Sequence, residues 1–428
     1  ALTRLMHFWY KFLTYLLFPI SPFFLFFRKI RKKENHLRYK EKLSQIRIQR
    51  KHGFLLWFHV ASVGEAMSIL PLLEDLEKEE KINSILITSI TLSSSEIIGK
   101  KIGKNKKIIH QFLPLDIPQF VNKFLNHWSP NISIFVDSEI WPNLIFGIKK
   151  RKIPLLLLNG RITKKTFSKW RLLKHFSKKI FQQFDLCLIS NKETGTYLKE
   201  LGAKNIKDYG NIKFSRTKFK SNDKLNPSIL NIVKDRKIWS AASTHPSEEL
   251  ICAKAHIEIK KTYNNILTVI IPRHIERTKE IEKELTGLNL KTILYSKIEN
   301  LNNDTDILLV DAYGELLKFY DVSKCVFLGK SLSKNLISSS GQNPIEAARL
   351  GCKVFHGPNI SNFKDIYEYL NSLKIVSKVS NFMELSQSVV EELNNDKEKN
   401  DKMVEKIENH GLNTLKNVLK EIKLYINK

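Results

Sequence analysis

Cysteine is scarce in this 428-residue chain, and the four present stand far apart. Cys187, Cys252, Cys325 and Cys352 form no Cys-Xaa-Xaa-Cys pair and share no metal-ligand spacing with histidine. That excludes a disulfide scaffold or a thiolate metal centre and reads as reduced, buried thiols of a cytosolic environment. Acidic residues are also few: 43 against 71 lysines and arginines, a formal net charge of +28. Such an excess suits nucleic acid, anionic lipid or acidic substrates. Lysine alongside abundant isoleucine and asparagine also fits a biased genome. The basic residues are scattered, with neither a helix-turn-helix signature nor an RNA-binding aromatic motif, so nucleic acid is not an expected partner. No internal repeat is present.

The N-terminal apolar stretch, Leu5 to Phe27, does not end in the small residues of a signal-peptide cleavage site. It is rich in Leu, Phe, Tyr, Trp and Ile, is interrupted by His7, Lys11, Pro19 and Pro22, and leads into Arg28, Lys29, Arg31, Lys32 and Lys33. About 20 apolar residues span a bilayer, and a shorter or broken run lies in its interface. The basic flank suits anionic headgroups and keeps the rest of the chain on the cytoplasmic side. Residues 1–33 are therefore expected to be a membrane anchor. The alternative is an arm packed on the protein's own core.

The length calls for two domains, and 42% hydrophobic with 10% aromatic residues supports folded ones. After an expected basic helix over Asn35 to Lys51, short apolar runs alternate with amphipathic stretches. The expected strands are Phe54–Val60, Ser84–Thr88, Ile108–Leu113, Ile132–Asp137, Pro154–Leu158 and Leu186–Ser190. The pattern lapses near residues 217–235 and resumes at Ile238–Ser243, Leu267–Pro272, Leu290–Tyr295, Asp306–Val310, Lys324–Leu328 and Lys353–His356. This predicts an α/β protein of two Rossmann-like, doubly wound domains, residues 34–218 and 219–400, facing a central cleft. Residues 401–428 read as a C-terminal helical segment, with Leu412, Leu415, Val418, Leu419 and Ile422 as its packing stripe.

The stretch Phe54 to Glu65 reads as strand, small-residue turn and helix start, with Glu65 in the first helical turn. In an open α/β sheet ligands bind at the carboxyl ends of strands. A carboxylate there can take a proton from a substrate hydroxyl while the helix dipole keeps it ionised. The plainer alternative is that Glu65 only complements the dipole. In the second half, Pro272-Arg273-His274 follows a strand and suits a phosphate clamp or an exposed basic loop. Asp311-Ala-Tyr-Gly-Glu-Leu316 follows another, with Gly314 free to let backbone approach a ligand. In Ser340 to Gly351, Asn343 suits a helix cap with Pro344 at the first position, and Glu346 suits the two hydroxyls of a ribose. The acids Glu65, Glu139, Glu315 and Glu346 argue against a groove for a phosphate backbone.

Taken together, His59-Val-Ala-Ser-Val-Gly-Glu65, Ser138-Glu-Ile-Trp-Pro-Asn143, Asn159-Gly-Arg161, Leu201-Gly-Ala203, Gly210-Asn-Ile-Lys213-Phe214, Pro272-Arg-His274, Gly314-Glu-Leu316 and Asn343-Pro-Ile-Glu346 resemble, in order and spacing, one family over nearly the whole chain. It is the bacterial Kdo transferases, which add 3-deoxy-D-manno-octulosonic acid (Kdo) to the lipid A precursor. The resemblance implies a GT-B fold and an inverting glycosyltransferase of lipopolysaccharide core biosynthesis. It implies CMP-Kdo as donor, lipid IVA as acceptor, no cofactor or divalent metal, and a place on the cytoplasmic face of the inner membrane against anionic lipids. It makes Glu65 the general base, with Asp137 and Lys213 stabilising transition-state charge. Pro272, Arg273, Tyr313, Gly314, Glu315, Asn343, Pro344, Ile345 and Glu346 would hold CMP.

Some positions depart from the family pattern. Asp137 stands for a Glu, His245-Pro-Ser-Glu-Glu249 lacks a glycine between the histidine and the acids, Ser340-Gly-Gln-Asn replaces Gly-Gly-His-Asn, and Gly329-Lys330 replaces a glycine pair. The last three touch the geometry of the nucleotide loops, whereas Asp137 shortens the reach of its carboxylate by one methylene. The rival readings are a GT-B enzyme for another nucleotide sugar and a non-catalytic basic protein that binds membrane or nucleic acid.

Overall fold

Alternation of side chains across each strand decides the architecture. In β1 (Phe54–His59), Leu55 and Trp57 enter one apolar cluster while Leu56 and Phe58 enter another, so the strand is buried on both faces and must lie inside a sheet covered by helices. The computed structural model describes residues 2–102, 107–215, 224–333, 340–395 and 401–428. β1 is joined by β2 (Ile82–Ser89), β3 (Ile108–Phe112), β4 (Ile132–Val136), β5 (Leu155–Gly160), β6 (Leu186–Ile189) and β7 (Ile206–Asp208). The order is β3-β2-β1-β4-β5-β6-β7, all parallel. On one face the helices Pro118–Trp128, Pro142–Lys150 and Lys174–Phe181 contribute Phe124, Ile148 and Ile180. On the other, Val63–Leu76 and the C-terminal helix contribute Leu72, Leu73, Val418 and Ile422.

The second sheet repeats the principle. It comprises β8 (Lys237–Thr244), β9 (Ile266–Pro272), β10 (Thr292–Leu294), β11 (Ile307–Leu309), β12 (Cys325–Leu328), β13 (Lys353–His356) and β14 (Val376–Lys378). Their order is β10-β11-β9-β8-β12-β13-β14, again parallel. Each sheet is thus doubly wound, and the direction in which successive strands are added reverses beside its first strand, at β1/β4 and β8/β12. All four cysteines are free and buried.

The chain divides into two compact units, one of Ala1–Thr217 with His410–Lys428 and one of Lys218–Asn409. The expected boundary near 217–235 falls partly on residues 216–223, outside the described residues. The C-terminal helix, Asp401–Ile426, passes into the first unit at His410. Its stripe differs from expectation at one end: Leu412 is 58% exposed, whereas Leu415, Val418, Leu419 and Ile422 pack on the first sheet.

The expected helix over Asn35 to Lys51 does not form; only a 3-10 turn, Tyr39–Leu43, lies there. Several of its side chains bond outside the segment, Arg38 to His110 O and Arg50 to Trp128 O. Glu34 is buried between Arg28 and Lys42, each at 2.6 Å. Asn35 Oδ1 accepts from the amides of Leu37 and Arg38, and Ser44, at φ 54°, donates to Phe120 O. Asn35 thereby starts a turn, and the left-handed Ser44 ends it after the 3-10 residues.

The N-terminal apolar stretch forms two helices, Leu2–Leu16 and Ser21–Ile30, bent by 58° at a break that contains Pro19, with Pro22 in the first turn of the second. Among the described residues no single helix is long and apolar enough to cross a membrane, although this bent pair meets that measure by length and composition. One side is latched to the first unit. Tyr10 donates to Asp116 at 2.8 Å, Asn143 donates to Thr14, and Leu25 is buried with Leu43, Ile117 and Phe120. Asp116 also accepts the amides of Asn143 and Leu144, capping the helix Pro142–Lys150. The other side exposes a run of large apolar residues, including Phe8, Trp9, Phe12, Phe23 and Phe27.

Candidate active site

β1 ends in a sharp turn because Ser62 caps the helix Val63–Leu76. Ser62 Oγ accepts from the Glu65 amide, and the Glu65 carboxylate returns to the Ser62 hydroxyl at 2.9 Å and the Ala61 amide at 2.7 Å. This is a capping box displaced by one residue. The plainer reading of Glu65 is thus partly right, since it serves the helix start. Burial, however, together with the carboxylates of Asp137 and Glu139, pushes its pKa up to about 7. The expectation that the helix dipole keeps it ionised is therefore corrected: desolvation and like charge outweigh the amide and hydroxyl donors.

Asp137 follows β4, the strand beside β1 at the reversal point. It is buried and left-handed, at φ 65°; its amide donates to Leu158 O and its carbonyl accepts from Arg161 N. Asn159, on β5, is also left-handed, at φ 55°. Two non-glycine residues in this region at adjacent strand ends are the sort of backbone strain that collects at functional sites. Asn159 Oδ1 accepts from the Ile212 amide at 2.9 Å, which fixes the 3-10 turn Ile212–Ser215. From that turn Lys213 Nζ reaches Asp137 Oδ2 at 3.5 Å.

Glu139, which the family resemblance leaves without a role, belongs to the same cluster. His59, fully buried at the end of β1, lies 3.2 Å from Glu139 Oε2 through Nε2 and 2.9 Å from Thr88 Oγ1 through Nδ1. Trp141 Nε1 donates to the same glutamate oxygen at 2.8 Å. The signal is present in Ser138 to Asn143, but only the tertiary fold brings His59 to it. Glu65, Asp137, Glu139, His59 and Lys213 thus share the carboxyl edge of the first sheet. A half-buried base with a pKa near neutrality, among fixed charges, can deprotonate a hydroxyl.

The expected nucleotide residues gather at the carboxyl edge of the second sheet. Pro272 ends β9 and is buried; Arg273 beside it is exposed, its amide on Thr244 O. After β11, Gly314 adopts φ 88° with open space where a Cβ would stand. Tyr313 is exposed and donates to Glu276, and Glu315 accepts from Tyr295 at 3.0 Å and pairs with Lys318 at 2.8 Å. Asn343 Oδ1 accepts from the Ile345 amide at 3.1 Å, Pro344 takes the capping position rather than the first helical one, and Glu346 is half-buried on the five-residue helix Ile345–Arg349. Ile345 differs from expectation, because its side chain is fully buried and offers a ligand only its main chain.

Two loops of the second unit carry strained backbone at non-glycine residues. Ser247 (φ 77°) and Lys330 (φ 59°) both take left-handed conformations that suit glycine. Between them the buried Glu248 carboxylate accepts four amides, those of His245, Lys330, Ser331 and Leu332, at 2.8–2.9 Å. Gly329 cannot change: a Cβ there would lie 2.5 Å from Ser243 O.

The family described as 3-Deoxy-D-manno-octulosonic-acid transferase (kdotransferase) matches residues 36–216. The 3-deoxy-D-manno-octulosonic acid transferase of Rickettsia bellii is 32% identical over 376 residues, 88% of this chain and 88% of the relative. That of Haemophilus influenzae is 29% identical over 411 residues, 92% of this chain and 93% of the relative. Among solved structures, a UDP-N-acetylglucosamine 2-epimerase aligns with a TM-score of 0.57 at 13% identity, covering 89% of this chain and 98% of that one. A glycosyltransferase from Rickettsia africae ESF-5 aligns at 0.55 and 14%, covering 88% and 100%. These two share the fold alone, which is the GT-B type of two Rossmann-like units. Identity at the level of the Rickettsia bellii enzyme, along nearly its full length, goes further than fold: the chain belongs to the 3-deoxy-D-manno-octulosonic acid transferase family of glycosyltransferases.

Proposed function

We propose that this enzyme transfers Kdo from CMP-Kdo to the lipid A precursor lipid IVA, in lipopolysaccharide core biosynthesis, at the cytoplasmic face of a bacterial inner membrane. The observation that carries the reading is the carboxylate cluster at the first sheet's carboxyl edge, where Glu65 has a pKa of about 7 beside Asp137 and Glu139. Ionised Glu65 takes the proton of the acceptor hydroxyl as its oxygen attacks the anomeric carbon of Kdo. The bond from that carbon to the phosphate oxygen breaks, CMP leaves with the electron pair, and the single displacement inverts the centre. Lys213, held 3.5 Å from Asp137, stabilises the charge that develops. Arg273, Tyr313, Gly314, Glu315, Asn343 and Glu346, with main chain of Pro272, Pro344 and Ile345, hold the nucleotide. No role is assigned to a metal.

Membrane attachment is part of the proposal. The exposed aromatic side of the two N-terminal helices enters the bilayer interface, and the exposed Arg31, Lys32 and Lys33 meet anionic headgroups. An anionic glycolipid acceptor suits that setting.

The test is transfer from freshly generated CMP-Kdo to tetraacylated lipid A precursor by membrane-reconstituted protein, read by mass spectrometry. The expected result is the acceptor plus one or more Kdo masses. Folded protein with intact donor and no product, or product with a UDP-sugar instead, would overturn the reading.

A further inference from the structure

The turn that carries Lys213 is gripped by the C-terminal helix. Gly411 is the only glycine in Asp401–Ile426, and mid-helix glycine costs about 1 kcal/mol against alanine. Its place follows from contact: a Cβ at 411 would stand 2.2 Å from Phe214 O and 2.7 Å from Phe214 C. Around this point Ser215 Oγ donates to Gly411 O at 2.9 Å, and Thr414 Oγ1 donates to Tyr209 O at 2.8 Å. The His410 ring stands edge-on to Phe214 at 5.1 Å. Gly210, at φ 89°, has His410 and Thr414 atoms 3.2 Å from where its Cβ would be. Both ends of the segment 209–215 are thus tied to one helical turn, while Asn159 holds its middle through the Ile212 amide.

We propose that Gly411, with Thr414 and Ser215, is a positioning residue: the C-terminal helix sets the reach of Lys213 to Asp137 and thereby tunes the catalytic cluster. This rests on the reading of Lys213 as a charge-stabilising group. A side chain at 411 pushes the Phe214 carbonyl away and carries the neighbouring Lys213 with it. Asp137 then loses part of its compensating positive charge, and its field on Glu65 strengthens.

The test is a double-mutant cycle on the full-length, membrane-reconstituted enzyme with Lys213→Ala and Gly411→Ala, measuring kcat, KM for both substrates and the pH profile. Lys213→Ala is expected to lower kcat by ~100-fold. Gly411→Ala is expected to lower it by ~10-fold, with both KM values within about twofold of wild type, since misplacement affects the transition state more than binding. The acid limb of the profile moves to higher pH in both variants, and Gly411→Ala has no further effect in the Lys213→Ala background. Thr414→Val and Ser215→Ala, which each remove one hydrogen bond, follow the same cycle with smaller losses and stand in if Gly411→Ala does not fold. If Lys213→Ala keeps wild-type turnover, the reading of Lys213 is lost. If Lys213→Ala is impaired while the folded clamp variants turn over normally, or their losses multiply with it, the positioning role is lost.

Discussion

Lys213 Nζ stands 3.5 Å from Asp137 Oδ2, and the same aspartate, after burial, is the largest influence raising the pKa of Glu65. One cation and two acids therefore share a single electrostatic balance. With a pKa of about 7, Glu65 is protonated and inactive as a base below that pH and ionised above it. Activity should rise with pH through about 7. Asp137→Asn removes the repelling charge, so the limb should move to lower pH while kcat falls. A limb that stays in place in Asp137→Asn would show that the two carboxylates do not interact.

Ser62 stabilises both the helix start and the ionised base. Ser62→Ala removes a cap worth about 1 kcal/mol and a donor to the Glu65 carboxylate. The melting temperature should fall and the acid limb should move up, both measurable on one preparation. Lower stability with an unchanged limb would separate the cap from the chemistry.

Glu65→Gln keeps an acceptor oxygen for the Ala61 amide and the helix cap but cannot take a proton. Turnover should drop by at least ~100-fold with the fold and CMP binding intact. A folded Glu65→Gln enzyme with wild-type turnover would remove the base assignment.

Strain at Ser247 and Lys330 should be releasable. Left-handed backbone costs a non-glycine residue about 1–2 kcal/mol, partly offset by the unfolded-state entropy of glycine. Ser247→Gly and Lys330→Gly should each stabilise by about 0.5–1 kcal/mol in denaturant titration. Gly329→Ala should destabilise, because its Cβ meets backbone. Destabilisation by both glycine substitutions would mean that their side chains contribute more than the strain costs.

The outward aromatic residues should hold the protein on vesicles. Phe12→Ser, Phe23→Ser and Phe27→Ser together should weaken partitioning at least ~100-fold in co-sedimentation, since each buried phenylalanine is worth about 1.5–3 kcal/mol. High salt should weaken binding to anionic vesicles only. Unchanged binding by the triple variant would place membrane attachment elsewhere.

Most of the secondary structure is legible in the sequence because buried parallel strands read as short apolar runs with helical spacing between them. The strands it hides, β7 and β14, are three-residue edge strands whose Ile206-Lys-Asp208 and Val376-Ser-Lys378 carry little apolar signal. The false helix over Asn35 to Lys51 has helical composition; bonds from Arg38, Ser44 and Arg50 to His110, Phe120 and Trp128, all distant in sequence, override it.

Local sequence determined the turn after β1, the capping box at Ser62 and Glu65, and the glycine freedom at Gly314, because these depend on neighbours a few residues away. Tertiary structure alone decided the rest. It set Glu65 near a pKa of 7 by bringing up Asp137 and Glu139, gave Glu139 its histidine, buried Ile345, and returned the C-terminal helix to the turn bearing Lys213. Proton affinity and side-chain reach depend on burial and on charges from other strands, and the linear order of residues carries neither.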